Sequence, residues 1–185
     1  MPGAAHRTHS DRRSVMGRRS VRENKNIYLT SREDAGMTRA EASEALEFIS
    51  ESRLEKIESE KTAAHPEDIL AMADAYKRPD LCNYYCTHEC PIGMERVPEV
   101  KSKGLSQIVL GVLSTLNTLD KEKDRLIEIT EDEQITEDEL PDFARIQDQL
   151  DKISQTVESL KLWVEQTIVD GGIDRERLEE LRHGH

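Results

Sequence analysis

The sequence predicts an all-α protein: a compact set of four to five short helices, then a long helical hairpin of coiled-coil type. Three observations carry this. Helix-capping signals precede short stretches whose apolar residues recur at three- and four-residue spacing. Two seven-residue apolar repeats follow later in the chain. Charged residues make up 35% of the 185 residues and aromatics only 4%, a balance that suits a small core extended by solvated helices.

The same composition sets bounds on function. No apolar run approaches the roughly 18 residues of a membrane-spanning helix, and the N-terminus lacks the apolar stretch of a secretory signal. Three cysteines, an odd number, argue against a disulfide framework and for a reducing compartment. The expectation is a cytoplasmic protein. Its net charge of −12 is unevenly spread: +5 over residues 1–26, −7 over 27–98 and −10 over 99–185. The first segment has almost no apolar residues and no periodicity, so it should be a disordered basic arm able to lie along phosphates, or simply a solvated tail. Met16 offers a second start, which leaves open whether residues 1–15 belong to the native chain.

From residue 27 the helices can be placed one by one. Ile27 to Asp34 forms the first, and Gly36 supplies a left-handed exit. Thr38, with Glu41 three residues on, reads as a capping box. Ala42, Ala45 and Leu46 then follow at helical spacing, and Phe48 and Ile49 should point inward from a short connector. Ser50 caps the next helix, ESRLEKIES, with Leu54 and Ile57 as an apolar pair. Pro66 opens another, whose buried stripe is Ile69, Leu70, Met72, Ala73 and Tyr76.

Two helices joined by a short turn within a compact helical unit follow the helix-turn-helix plan. The stretch from 27 to 81 resembles the DNA-binding domain of Cro and phage-repressor (XRE-type) regulators. The matching residues are A-G-M-T at 35–38, Ala42 inside the second helix, Ile49-Ser50 in the turn, L-x-x-I-E from Leu54 to Glu58, Lys61, and His65-Pro66. The resemblance implies that the helix 50–59 enters the major groove of double-stranded DNA. Thr38 and Arg39 would contact phosphate. Ser50, Glu51, Ser52 and Arg53 would lie at the reading end, with Lys56 one turn further and Lys61 near the backbone. Arg53 can donate two hydrogen bonds to guanine. Glu58 stands where the family often has a glutamate that packs or pairs structurally. The chain departs from the pattern at Glu60, where the family commonly has glycine, and at Glu51 and Glu55, two carboxylates on one face of the reading helix. Those carboxylates support an alternative, a helix-turn-helix scaffold turned to protein binding.

All three cysteines fall in LCNYYCTHECPIG, residues 81–93, which also looks like an extension recurrent after such domains in bacterial proteins. Pro79 should start a short helix carrying Cys82 and Cys86, with Cys90 beyond its end. Cys82, Cys86, His88 and Cys90 form C-x3-C-x-H-x-C, ligand types that zinc takes as a tetrahedral set. The cluster is all local in sequence, however, and small buried thiols explain it equally. We take the packed-thiol reading, with no cofactor, and keep zinc or a redox role as the alternative.

The last third carries the two repeats. Leu105, Val109, Val112, Leu116, Leu119, Lys123 and Leu126 form one stripe; Phe143, Ile146, Leu150, Ile153, Val157, Leu160 and Val164 form the other. An acidic connector separates them, Thr136 with Glu139 offers a cap for the second helix, and Pro141 is tolerable only near its first turn. Trp163 sits beside the stripe as a packing residue. Asp170-Gly171-Gly172 ends the helix, and residues 173–182 give one more short amphipathic helix. The stripes can close a hairpin or pair between chains, and a homodimer is the preferred assembly. The expected organisation is a basic arm (1–26), a helix-turn-helix domain (27–81), a cysteine-containing connector (82–102) and a helical hairpin with a terminal helix (103–182). No phosphate loop, H-E-x-x-H motif or nucleophile elbow is present, so the reading is a non-enzymatic DNA-binding regulator.

Overall fold

The computed structural model describes residues 25–132 and 134–183. The basic arm up to residue 24, Met16 included, lies outside the described residues. Among those residues the chain is entirely helical: α1 (Ile27–Asp34), α2 (Arg39–Ala45), α3 (Glu51–Glu58), α4 (Pro66–Ala75), α5 (Asp80–His88), α6 (Pro91–Arg96), α7 (Leu105–Ile129), α8 (Leu140–Val169) and α9 (Arg175–His183). None of them is long and apolar enough to cross a membrane. The chain divides into two compact units between Ala63 and Ala64.

In the first unit, Asn26 caps α1 by accepting from the Leu29 amide at 3.0 Å, and its side-chain amide donates to the Ile57 carbonyl at 2.8 Å. One side chain thereby satisfies an orphan donor of α1 and adds a second bond to the Ile57 carbonyl at the end of α3, which already accepts from the Glu60 amide at 3.0 Å. Tyr28, Leu29, Ala42, Leu46, Ile49, Leu54 and Ile57 are buried. Two expected core residues are not. Ala45 is exposed, and Phe48 is 62% exposed. For Phe48 the cause is Glu47, whose φ of 53° reverses the chain between Leu46 and Ile49 and turns Phe48 outward.

Four helices leave by the same left-handed exit. The residues after them close paired bonds of Schellman type: Met37 N–H to Arg32 O, Lys61 N–H to Lys56 O, Arg78 N–H to Ala73 O, and Gly172 N–H to Thr167 O. Gly36 and Gly171 occupy two of the left-handed positions, but Glu60 (φ 59°) and Lys77 (φ 58°) occupy the others. An L side chain there costs roughly 1–2 kcal/mol. Glu60→Gly should therefore stabilise the protein by about 1 kcal/mol, the glycine's greater unfolded-state entropy offsetting part of the relief. Urea unfolding measures it, and a less stable variant would show that the glutamate side chain outweighs the backbone strain.

The second unit begins with α4, where Pro66 takes the first helical position and Ile69, Met72, Ala73 and Tyr76 are buried. Leu70, expected in that stripe, is 64% exposed. It lies about 100° around the helix from Ile69, outside the arc that the other four share. After α5 the chain forms α6, a second helix within the expected cysteine-containing connector. Pro91 at its start was the available signal. Asn83 pins the segment that follows, donating to Pro98 O and accepting from Val100 N–H, both at 3.0 Å.

α7 and α8 pack as an antiparallel hairpin in constant register. Gly111 lies beside Thr156, Arg145 pairs with Glu122 at 2.9 Å, and Arg125 pairs with Asp142 at 2.7 Å. The Arg125 guanidinium, with Arg145 beside it, holds the Asp142 carboxyl below its usual range. Pro141 falls in the first turn of α8 as expected. Thr136 and Glu139 do bond to each other, but one turn ahead of the helix rather than as its cap. Much of the two apolar repeats, however, is not used to close this hairpin, although Ile146 is buried at 1% exposure. Leu105, Val109 and Leu116 are 40–49% exposed, Leu150 and Val157 are 47% and 43% exposed, and the packed seam is the neighbouring, more polar face.

Candidate nucleic-acid interface

Five residues separate α2 from α3, and the structure shows how they are held. Thr38 starts α2 with the expected capping box: Glu41 accepts from the Thr38 amide at 2.7 Å, and the Thr38 hydroxyl accepts from the Glu41 amide at 3.2 Å. That backbone bond to Thr38 draws the Glu41 carboxyl below its ordinary range. At the other end of α2, the Ser43 hydroxyl donates to the Ile49 carbonyl at 2.8 Å, fixing the turn. Ile49 is 1% exposed and anchors that turn from below. Ser50 then caps α3, accepting from the Arg53 amide at 3.3 Å. Glu47 and Ser43 were not singled out from sequence. A glutamate at a left-handed position and a serine inside a helix give no local signal of such roles.

Beneath the motif lies a buried ion cluster. Glu58, on the inner face of α3, accepts from Arg32 of α1 through both carboxylate oxygens and from Arg39 Nε of α2 at 2.8 Å. Arg32 also donates to the Met37 carbonyl at 2.6 Å. The Glu58 side chain is fully buried and Arg32 nearly so, whereas Arg39 is 34% exposed. A single carboxylate thus ties three helices and the α1–α2 loop into one frame. Arg39, the expected phosphate contact, is positioned by this bond.

α3 turns Leu54, Ile57 and Glu58 inward. Helical spacing then places Ser52 and Lys56 at the centre of its outer face, Arg53 on one flank, and Glu51 with Glu55 on the other. Glu51, Ser52, Glu55, Lys56 and Lys61 are exposed, and Arg53 is half-buried. The arrangement offers a hydroxyl and an ammonium at its middle and a guanidinium beside them, which suits base edges and phosphates. The acidic flank is the mismatch, because carboxylates and phosphates repel.

The cysteine stretch does not assemble into the alternative zinc set. Among the described residues no three His, Cys, Asp or Glu side chains converge on a metal-sized site. α5 explains why. Cys82 and Cys86 share one face, but His88, two residues beyond Cys86, lies on the opposite one. There its ring stacks on Tyr84 at 4.4 Å, with Nδ1 3.1 Å from the Tyr84 carbonyl. Cys82 and Cys86 face a cleft shared with Leu162 and Glu165 of α8, and Cys90 precedes α6. Burial, followed by the nearby Glu165 charge, pushes the Cys82 thiol up, away from reactive thiolate.

No curated protein and no solved structure matches the chain. Residues 30–82 match the model of a family described as a helix-turn-helix domain, a match that spans α2, its turn and α3 and points to DNA binding.

Proposed function

We propose that the protein is a cytoplasmic, non-enzymatic transcriptional regulator of XRE type that reads double-stranded DNA through α3 and acts as a homodimer. The observation that supports this best is α3 itself: capped by Ser50, locked from below by the Arg32–Glu58–Arg39 cluster, and presenting Ser52, Arg53 and Lys56 outward. Thr38 and Arg39 at the start of α2, and Lys61 after α3, are the phosphate-side residues. The basic segment 1–26 adds sequence-independent attraction to an otherwise acidic chain.

Selection from a random DNA library at low salt tests the reading. An enriched motif is expected, and no enrichment would sink it, because phosphate attraction is strongest under those conditions. Arg53→Ala should relax one position of the motif at a cost of about 1–3 kcal/mol, whereas Lys61→Ala should weaken all sequences alike and lower the salt slope by about 1. Glu51 and Glu55, both exposed on one flank of α3, favour a second reading as a protein-binding module. A stoichiometric partner lost on changing those two residues would support it.

A further inference from the structure

We propose that the α7–α8 hairpin is half of a four-helix bundle, completed by a second copy of the chain through a face bearing Leu105, Val109, Leu116, Leu150, Val157 and Leu160. This deepens the dimeric part of the function proposed above and does not depend on DNA binding.

The argument starts from what closes the hairpin. Its internal seam sets the buried Ile108 among Gly111, Ser114, Thr115, Thr156 and Ser159 at one end, and the Glu122–Arg145 and Arg125–Asp142 pairs, with the buried Ile146 next to Arg145 in sequence, at the other. Small polar residues and partly exposed ion pairs are the usual lining between neighbouring helices of a bundle, not of its centre. The central positions are the two apolar repeats, which lie largely to one side of the seam, although Ile146 of the second is buried at 1% exposure. On α7 the repeat lies to one side of the line through Ile108 and Thr115; on α8 it lies to one side of the line through Arg145 and Thr156. Because the helices run antiparallel, rotation in the same sense about each axis brings both repeats to the same face of the hairpin. The register sets them level with one another. With Gly111 opposite Thr156, Leu116 comes beside Leu150, and Val109 beside Val157.

Two features point to a second copy as the occupant. Residues 105–119 contain no charged side chain, in a chain that is 35% charged. Such depletion of charge marks the core of a protein interface. The area also suits an isologous pair. With Leu113, 53% exposed, the named residues leave roughly 600 Å² of apolar surface on each chain, close to the roughly 800 Å² per partner of a standard interface once polar flanks are counted. A two-fold axis through this face sets each stripe against its own counterpart, so a single sequence satisfies both sides.

Sedimentation equilibrium of the full chain without DNA tests the proposal. The wild type should sediment at twice its chain mass at micromolar concentration, and Val109→Glu with Val157→Glu should halve that mass. Both valines are more than 40% exposed in the single chain, so the variant should keep its helical circular dichroism. Leu181→Glu, on the exposed surface of α9, should leave the dimer intact. A wild type monomeric at micromolar concentration overturns the proposal, as does a dimer that survives the double glutamate change. Should that variant lose helicity, Leu150→Gln with Leu160→Gln decides. Helical monomers support the interface, and a second loss of helicity would show that this face is the core of a single chain. A dimer that selects no DNA motif leaves the bundle standing and removes the DNA reading; a monomer that selects one does the reverse.

Discussion

Replacing Glu58 by alanine should destabilise the protein by about 3–5 kcal/mol, the cost of stripping the partner from buried charge. Arg32 would keep its bond to the Met37 carbonyl but lose both bonds to the carboxylate, in a site where only 7% of its side chain meets water. Arg39, 34% exposed, can recover hydration by swinging outward, so most of the loss falls on Arg32. Glu58→Gln, which keeps the shape and one acceptor, should lose less. The pair is shielded from solvent, so the deficit should persist at high salt, unlike that of the surface pairs on the hairpin. Arg32→Met combined with Glu58→Leu should restore much of the stability, because apolar packing replaces a desolvated pair without leaving a charge behind. Urea unfolding of the set measures each term. A loss below about 1 kcal/mol for Glu58→Ala would mean that the arginines reach water and that the cluster is not what holds the reading helix.

Gly93→Ala should be the second severe change. A β-carbon at this position would lie 2.2 Å from the Cys86 carbonyl oxygen, 2.7 Å from its carbon and 2.8 Å from Cys86 Cα. All three are backbone atoms of α5, so no rotamer change relieves the overlap and α6 must move bodily. Overpacking of this kind costs about 1–3 kcal/mol when side chains can yield, and the upper end is expected where backbone must. Hydrogen exchange should localise the damage, with the Met94 and Val97 amides, bonded now to the Cys90 and Gly93 carbonyls, losing protection first. Gly111→Ala is the control. Its nearest neighbour is the Thr156 methyl at 3.6 Å, an ordinary contact, so it should be neutral or gain up to about 1 kcal/mol from helix propensity. Equal losses at both glycines would sink the close-approach argument.

Legibility in the sequence followed the range of the interaction concerned. The Thr38–Glu41 box, the Ser50 cap, Pro66 at a helix start and the Gly36 and Gly171 exits are written within four residues of where they act, and each stands where it was expected. Glu60 was legible as a departure from glycine, and its left-handed φ is what that departure demands. Phe48 and Leu70 were misread for one reason. Their hydrophobicity signalled burial, but burial depends on the rotation of the chain at that residue, which a left-handed Glu47 and the arc of α4 decided instead.

By itself, then, the sequence determined the helical class, the capped starts of α2, α3 and α4, the order of the α2–turn–α3 motif and the two seven-residue repeats. Capping, propensity and periodicity are local properties of the chain and need no partner element. Tertiary structure alone decided that one carboxylate would hold Arg32 and Arg39 together and which face of α7 would meet α8. Each is a choice among helix faces, and a repeat in one helix specifies only that an apolar face exists. Which surface it meets depends on the relative rotation of two helices, which their packed seam sets: here ion pairs, small side chains and Ile108 take it, and much of the two apolar repeats is left facing out on one side.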